Sequence, residues 1–167
     1  MKKIGLLSDT HGKIHPRATE FFSGCDEIWH AGDIGTMEVV EKLENIKPLR
    51  AVYGNIDGTE IRKDFPEYAV FQIEKLRVVM IHIGGYPGRY NQKAKALIEK
   101  FRPGLFISGH SHILKVMHDK KYNLLHINPG AAGFSGFHKN ITMIRFDISN
   151  DKISNLEVLD IDRNKKI

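Results

Sequence analysis

Among 167 residues the chain has a single cysteine, Cys25. No internal disulfide can form, and such scarcity fits a reducing compartment. The sequence also lacks any run approaching the ~20 apolar residues of a membrane span. The basic start Met1-Lys2-Lys3 imitates the head of a signal peptide. The apolar run behind it stops at Ser8-Asp9, short of the ~7–15 residues of a signal-peptide core, and no small-residue cleavage site follows. A cytoplasmic location without membrane contact is therefore expected. Repeats, low-complexity tracts and linkers are absent too. With 41% hydrophobic residues, one domain over residues 1–167 with a substantial core is expected. The formal charge of +5 comes with neither a nucleic-acid-binding motif nor an interleaved aromatic platform. The excess is spread, and its densest cluster is Arg163-Asn164-Lys165-Lys166. A basic surface of this kind steers anions rather than reading a duplex.

What is present is an alternation of apolar runs and helical patterns over the first two-thirds. A helical pattern near residues 14–23 carries Phe21 and Phe22. Thr36 is placed to cap a helix with Glu38 in its first turn and Val39, Val40 and Leu43 on one face. Asn91 is placed to cap another, with Ala94, Leu97, Ile98 and Phe101 at helical spacing and Arg102-Pro103-Gly104 as its stop. Tyr68–Glu74 and Arg77–Ile83 read as a hairpin around Glu74-Lys75-Leu76. In the last third, Leu114–His118, Leu124–Asn128, Thr142–Ile148 and Leu156–Ile161 read as successive strands of a β-meander. The expected class is α/β, with two packed β-sheets flanked by helices.

Five apolar, strand-like runs end in oxygen or nitrogen donors. Asp9 and His11 follow Ile4-Gly5-Leu6-Leu7, and Asp33 follows Ile28-Trp29-His30-Ala31-Gly32. Asn55 follows Leu49 to Gly54, and His82 ends Val78-Val79-Met80-Ile81. His110 and His112 follow Leu105-Phe106-Ile107-Ser108-Gly109. Parallel buried strands bring their C-terminal ends to one rim, where open α/β sheets keep their sites. Singly, each piece has an ordinary explanation. Asp-x-His, Gly-Asp and Gly-Asn are common turns, and a lone His at a strand end is usually a core residue. Seven donors in strand-end positions are another matter. They suit two metal ions better than one, and two metals clamping a phosphoryl group is the chemistry such a set supports.

The order Asp-x-His, Gly-Asp, Gly-Asn, His, Gly-His-x-His, with His30-Ala31-Gly32-Asp33 and Asn128-Pro129-Gly130, resembles the calcineurin-like metallophosphoesterases. The likeness is strongest to their small single-domain phosphodiesterase branch in bacteria and archaea, and runs from Asp9 to about Gly130. It implies a β-sandwich flanked by helices, with one metal held by Asp9, His11 and His112. The other would be held by Asn55, His82 and His110, with Asp33 bridging both. It makes Asp33, Asn55 and His82 the expected catalytic residues, and Asn55 with His138 the expected substrate contacts. The mixed oxygen and nitrogen donors admit Mn, Fe, Zn or Ni, and the likeness favours Mn. Two divalent ions, two carboxylates and a bridging hydroxide leave the centre near +1. Such a centre attracts a small phosphate ester and supplies hydroxide for in-line attack. Nucleic acid is then expected only as a phosphodiester substrate. Relatives form dimers or tetramers, so a homo-oligomer is in keeping with the likeness.

The chain also departs from the pattern. Where many such hydrolases carry His after the Gly-Asn asparagine, it has Ile56, which donates no proton. Where relatives read His-Gly-His, it has His82-Ile83-Gly84-Gly85-Tyr86-Pro87. Tyr86 and Arg89 are candidate substrate contacts in that loop, His138 and Lys139 in the stretch 131–140. Asp57 and His30 are candidate supports of the ligands. The competing reading is a protein-binding scaffold module with little or no catalysis. One retromer subunit uses this fold that way, with a degraded metal site. All seven ligand positions here retain coordinating side chains, which favours the enzyme.

Overall fold

Residues 1–167 are all described by the computed structural model of the chain. β1 (Lys2–Leu7) leads through α1 (Arg17–Phe22) to β2 (Glu27–His30), and then through α2 (Met37–Glu44) to β3 (Leu49–Ala51). These three strands lie parallel, as helical crossovers require. After α3 (Thr59–Asp64), β4 (Tyr68–Ile73) and β5 (Leu76–Ile81) form an antiparallel hairpin. Its turn is Glu74-Lys75 alone, with Leu76 already paired to Ile73 and buried. α4 (Gln92–Phe101) then returns the chain to β6 (Leu105–Ile107), parallel to β5.

The last third is not a meander. β7 (Leu114–Asp119) and β8 (Leu124–Pro129) form one hairpin, β9 (Asn140–Ser149) and β10 (Lys152–Asp162) another, and the two join different sheets. One sheet has the order β10-β9-β1-β2-β3, the other β4-β5-β6-β8-β7. Strand alternation looks the same in either arrangement. The long-range partner decides: Ile4 on β1 pairs with Phe146 on β9.

Alternation of side chains assigns three apolar layers. Ile4, Leu6 and Trp29 from one sheet meet Val78, Met80 and Ile107 from the other. Trp29 is fully buried, its ring edge-on to Phe71 at 4.9 Å between centroids. On the outer side of the first sheet, Leu7 and Ile28 pack with Phe22, Val40 and Leu43 of the helices. On the outer side of the second, Val79, Ile81 and Phe106 pack with Ala94, Leu97 and Ile98. Each fully buried side chain of this kind contributes roughly 1.5–3 kcal/mol. Asn91 caps α4 by accepting the Ala94 N–H at 2.8 Å. Thr36 starts α2 in extended backbone, but its side chain makes no capping bond. No helix is long and apolar enough to cross a membrane.

The five apolar runs thus divide between two sheets rather than lining one. β1, β2 and β3 end beside β5 and β6, and their loops are stitched together. The His110 N–H donates to Asp9 Oδ2 at 3.1 Å, and His82 Nδ1 to the Ala31 carbonyl at 2.8 Å.

Candidate metal centre

Each carboxylate in this junction has one oxygen held and one presented. Asp9 Oδ2 accepts the Ser8 hydroxyl at 2.6 Å and the His110 N–H, so Oδ1 turns inward. Asp33 Oδ1 accepts the Ile56 N–H at 3.0 Å, so Oδ2 turns inward. Around these two oxygens stand imidazole nitrogens. Asp9 Oδ1 lies 3.8, 3.7 and 3.2 Å from Nε2 of His11, His82 and His112. Asp33 Oδ2 lies 3.4 Å from His11 Nε2 and 3.3 Å from His82 Nε2. A charge-assisted hydrogen bond would be nearer ~2.8 Å. Donors at about 2.1 Å from one ion stand roughly 3–3.5 Å apart, close to what is seen here.

Asp9 Oδ1, His11 Nε2 and His82 Nε2 are buried and have no hydrogen-bond partner. Buried polar atoms are almost always paired, so three orphans clustered around the two carboxylates fit bound cations. Two groups of donors can each hold an ion, Asp9 with His11 and His112, and Asp33 with His82 and His110. Asn55 Oδ1 joins the second, 3.0 Å from His110 Nδ1.

Electrostatics agrees with this crowding. Burial alone would raise the Asp9 carboxyl, but the imidazoles of His11, His112 and His82 beside it hold it well below the usual range. For Asp33 burial likewise pulls upward and is outweighed, chiefly by His82. His11 is raised by the Asp9 carboxylate beside it. For His82 burial lowers, and Asp33 and Asp9 together raise it above the ordinary value.

The backbone is bent to make the site. Asp9, His11, Asp33, His110 and His112 all have positive φ, between 48° and 72°. For residues with a side chain this region costs about 1–2 kcal/mol each, and strain of this kind gathers at functional sites. The other five non-glycine cases lie outside the ligand set, at positions such as the hairpin residue Glu74 and the helix cap Arg102.

Several residues support the donors from behind. Asp57 accepts N–H groups of Ile34, Gly35 and Gly54 at 3.1, 2.8 and 2.8 Å, tying together the loops that carry Asp33 and Asn55. His30 bonds Thr10 Oγ1 at 2.9 Å and accepts the Gly32 N–H at 3.1 Å. Asn128 donates to the Gly109 carbonyl at 3.1 Å and to Ser111 at 3.0 Å, holding the loop of His110 and His112. His138 stands behind His112, with 3.1 Å between their Nδ1 atoms, and its Nε2 meets the Gly133 carbonyl at 2.8 Å. Both of its nitrogens are engaged by the protein. Tyr86 carries Lys115 Nζ on its ring at 3.7 Å, while Arg89 and Lys139 are exposed.

Gly109 is required for space. A Cβ there would collide with Ser8 Oγ and come within 2.9 Å of Asp9 Oδ2 and 3.2 Å of His82 Nδ1. Gly109→Ala is expected to lower the unfolding free energy of chelated protein by about 1–3 kcal/mol, the usual cost of overpacking. Urea unfolding checks this, and an unchanged midpoint would contradict the close fit.

The calcineurin-like phosphoesterase superfamily domain matches residues 1–151, and the chain belongs to that family. It is 33% identical over 140 residues to a protein of Methanothermobacter thermautotrophicus called a probable metallophosphoesterase, covering 77% of this chain and 76% of that one. Among solved structures, a novel archaeal phosphodiesterase superposes with a TM-score of 0.73 at 24% identity, covering 94% of this chain and 99% of that one. Vps29 of Entamoeba histolytica, complexed with zinc, superposes with a TM-score of 0.75 at 15% identity, covering 97% and 99%. These two likenesses show the fold, two mixed five-stranded sheets with few helices.

Proposed function

We propose that the chain is a phosphodiesterase dependent on two divalent metal ions. The observation that carries this reading is the convergence of Asp9 Oδ1, His11 Nε2 and His82 Nε2, buried and unpartnered. In this reading Asp9, His11 and His112 hold one ion, Asn55, His82 and His110 the other, and Asp33 is shared. Mn is the expected metal, with Fe, Zn or Ni compatible with the same donors. When bound, such ions polarise a phosphoryl group and make hydroxide available near neutral pH.

The protein's part is to orient. The Ala31 carbonyl takes the Nδ1 proton of His82 and leaves its Nε2 lone pair facing the carboxylates. His138 does the same for His112. Its Nε2 proton goes to Gly133, so its Nδ1 accepts the His112 Nδ1 proton and leaves His112 Nε2 free. Asn55, with its carbonyl turned to His110, leaves its amide nitrogen to donate to a phosphate oxygen. Two grooves diverge from His110 on either side of Ile113. That favours a phosphate with two substituents over a monoester.

The test is metal analysis of purified protein together with a phosphodiesterase assay with and without Mn. Two equivalents of metal and Mn-dependent turnover are expected. Metal-loaded protein that hydrolyses no ester would favour a protein-binding role instead.

Ile56 stands exposed next to Asn55 and offers no proton to a leaving group. Turnover is therefore expected to fall steeply as leaving-group pKa rises from phenols to alkanols, since proton donation typically contributes about 10²–10⁴-fold. Ile56→His is expected to recover alkyl esters if its imidazole reaches the leaving oxygen. A flat series in wild type with chemistry rate-limiting would mean another acid is present.

A further inference from the structure

Four of the proposed metal donors are each followed by isoleucine: Asp33-Ile34, Asn55-Ile56, His82-Ile83 and His112-Ile113. Ile34 is fully buried in the core, and the other three face solvent. Ile56 is 47% exposed, Ile83 41% and Ile113 61%. Phe137, next to His138, stands wholly in solvent, and Tyr86 is exposed as well. A single exposed apolar residue needs no explanation. Ile83, Tyr86, Ile113 and Phe137 also line adjoining grooves beside His110, a patch of the kind that covers a ligand.

Two of these grooves share His110 and Ile113. One, of about 260 Å³, runs past Ile83 and Tyr86. The other, of about 420 Å³, lies between Ile113 and Phe137 beside His112. Among the polar side chains of the first groove, His126 has an unpartnered Nε2, but that atom is buried, and three others are already engaged. Asn91 caps α4 and donates to the Ile83 carbonyl, Asn128 holds the loop of His110, and Lys115 sits on the Tyr86 ring. A hydroxyl-rich substituent entering there would lose water and find few free partners. An apolar one would cover surface that is wet in the free protein.

We propose that the two grooves are subsites for the two ester substituents of a phosphodiester, and that they select apolar or aromatic substituents over sugars and other polar groups. This rests on the phosphodiesterase reading. A tetrahedral phosphorus at the ligand cluster sends its two substituents apart, one to each side of Ile113.

The experiment is a set of para-nitrophenyl phosphodiesters with a constant leaving group. The second substituent is methyl, hydroxyethyl, hexyl or phenyl, and kcat and KM are measured on Mn-loaded protein. KM is expected to fall about 10-fold or more from methyl to hexyl or phenyl. Hydroxyethyl should do no better than methyl, and kcat should stay nearly constant, because such binding is shared by ground and transition states. Ile113→Ser and Phe137→Ser should each compress the phenyl-to-methyl ratio, and Ile113→Leu should keep it. Val158→Ser, an exposed apolar position on β10 outside both grooves, should leave it unchanged. A flat series in protein that turns over the methyl ester would overturn the subsites and leave the phosphodiesterase reading standing. No turnover of any of the four with two metals bound would overturn both.

Discussion

Asp33→Asn is expected to abolish most metal binding and most turnover while leaving the fold intact. Asp33 presents Oδ2 to His11 and His82 and, in the proposed function, is the donor the two ions share. Asparagine keeps the shape and, with its side-chain oxygen at Oδ1, the bond from the Ile56 N–H. It also tolerates the positive φ of 56° found there, since asparagine visits that region more readily than most residues. What it removes is the negative charge between two cations. The loss should exceed the about 10–100-fold typical of changing a residue behind a ligand. Metal stoichiometry and turnover, with circular dichroism to check folding, decide the matter. Two equivalents of metal with wild-type turnover would exclude a shared role for Asp33. Metal should also raise the melting temperature of wild type far more than of the variant, because ions that bind only the folded state stabilise it.

Acid is expected to unfold the chelated protein well before its carboxylates titrate. Burial pushes the pKa of His30 down to about 4, and that of His126 likewise to about 4. Geometry gives an independent reason for His30. Its Nδ1 accepts the Gly32 N–H, and a proton on that nitrogen would set donor against donor. Between pH 6.5 and 4 the unfolded chain binds these protons and the folded chain does not, so stability falls as pH falls. The difference of 6.5 − 4 = 2.5 pH units at about 1.4 kcal/mol each gives roughly 3 kcal/mol per histidine. Against a total of about 5–15 kcal/mol that is a large fraction. The raised pKa values of His11 and His82 act in a different window. Their contribution is complete below pH 6.5 and is lost as pH climbs through the raised values. Asp9 and Asp33 contribute above their unfolded pKa and lose it only below about pH 4. Urea titrations of metal-free protein from pH 7 to 4.5 should show the decline, and His126→Phe should flatten it. Equal stability at pH 7 and pH 5 would contradict the prediction.

The donors at strand ends were legible because a buried run that stops at Asp or His leaves a polar group where the core ends. The glycine before Asp33, Asn55 and His110 belongs to the same signal, since the backbone at Gly109 must pass close to Asp9 and His82. Helix α4 was legible from its spacing and cap. Helix α3 was not, because six residues with only Ile61 buried carry no period to read. The separation of the two late hairpins escaped local patterning, as β8 joins the nearby β6 while β9 joins β1, more than a hundred residues away. Asp57 was legible as a candidate support of the ligands, but its partners were not, because Ile34 and Gly35 lie over twenty residues earlier.

The oxygen donors Asp9, Asp33 and Asn55 all extend from one sheet, while His82, His110 and His112 extend from the other. The hard and borderline halves of the proposed ligand set therefore ride on separate sheets, with His11 as its only imidazole on the oxygen side. The packing of Leu6, Trp29, Met80 and Ile107 between those sheets sets how far apart they ride. Preference among metals can then be retuned from the apolar interior. A larger or smaller side chain between the sheets alters every oxygen-to-nitrogen separation together, with no ligand replaced.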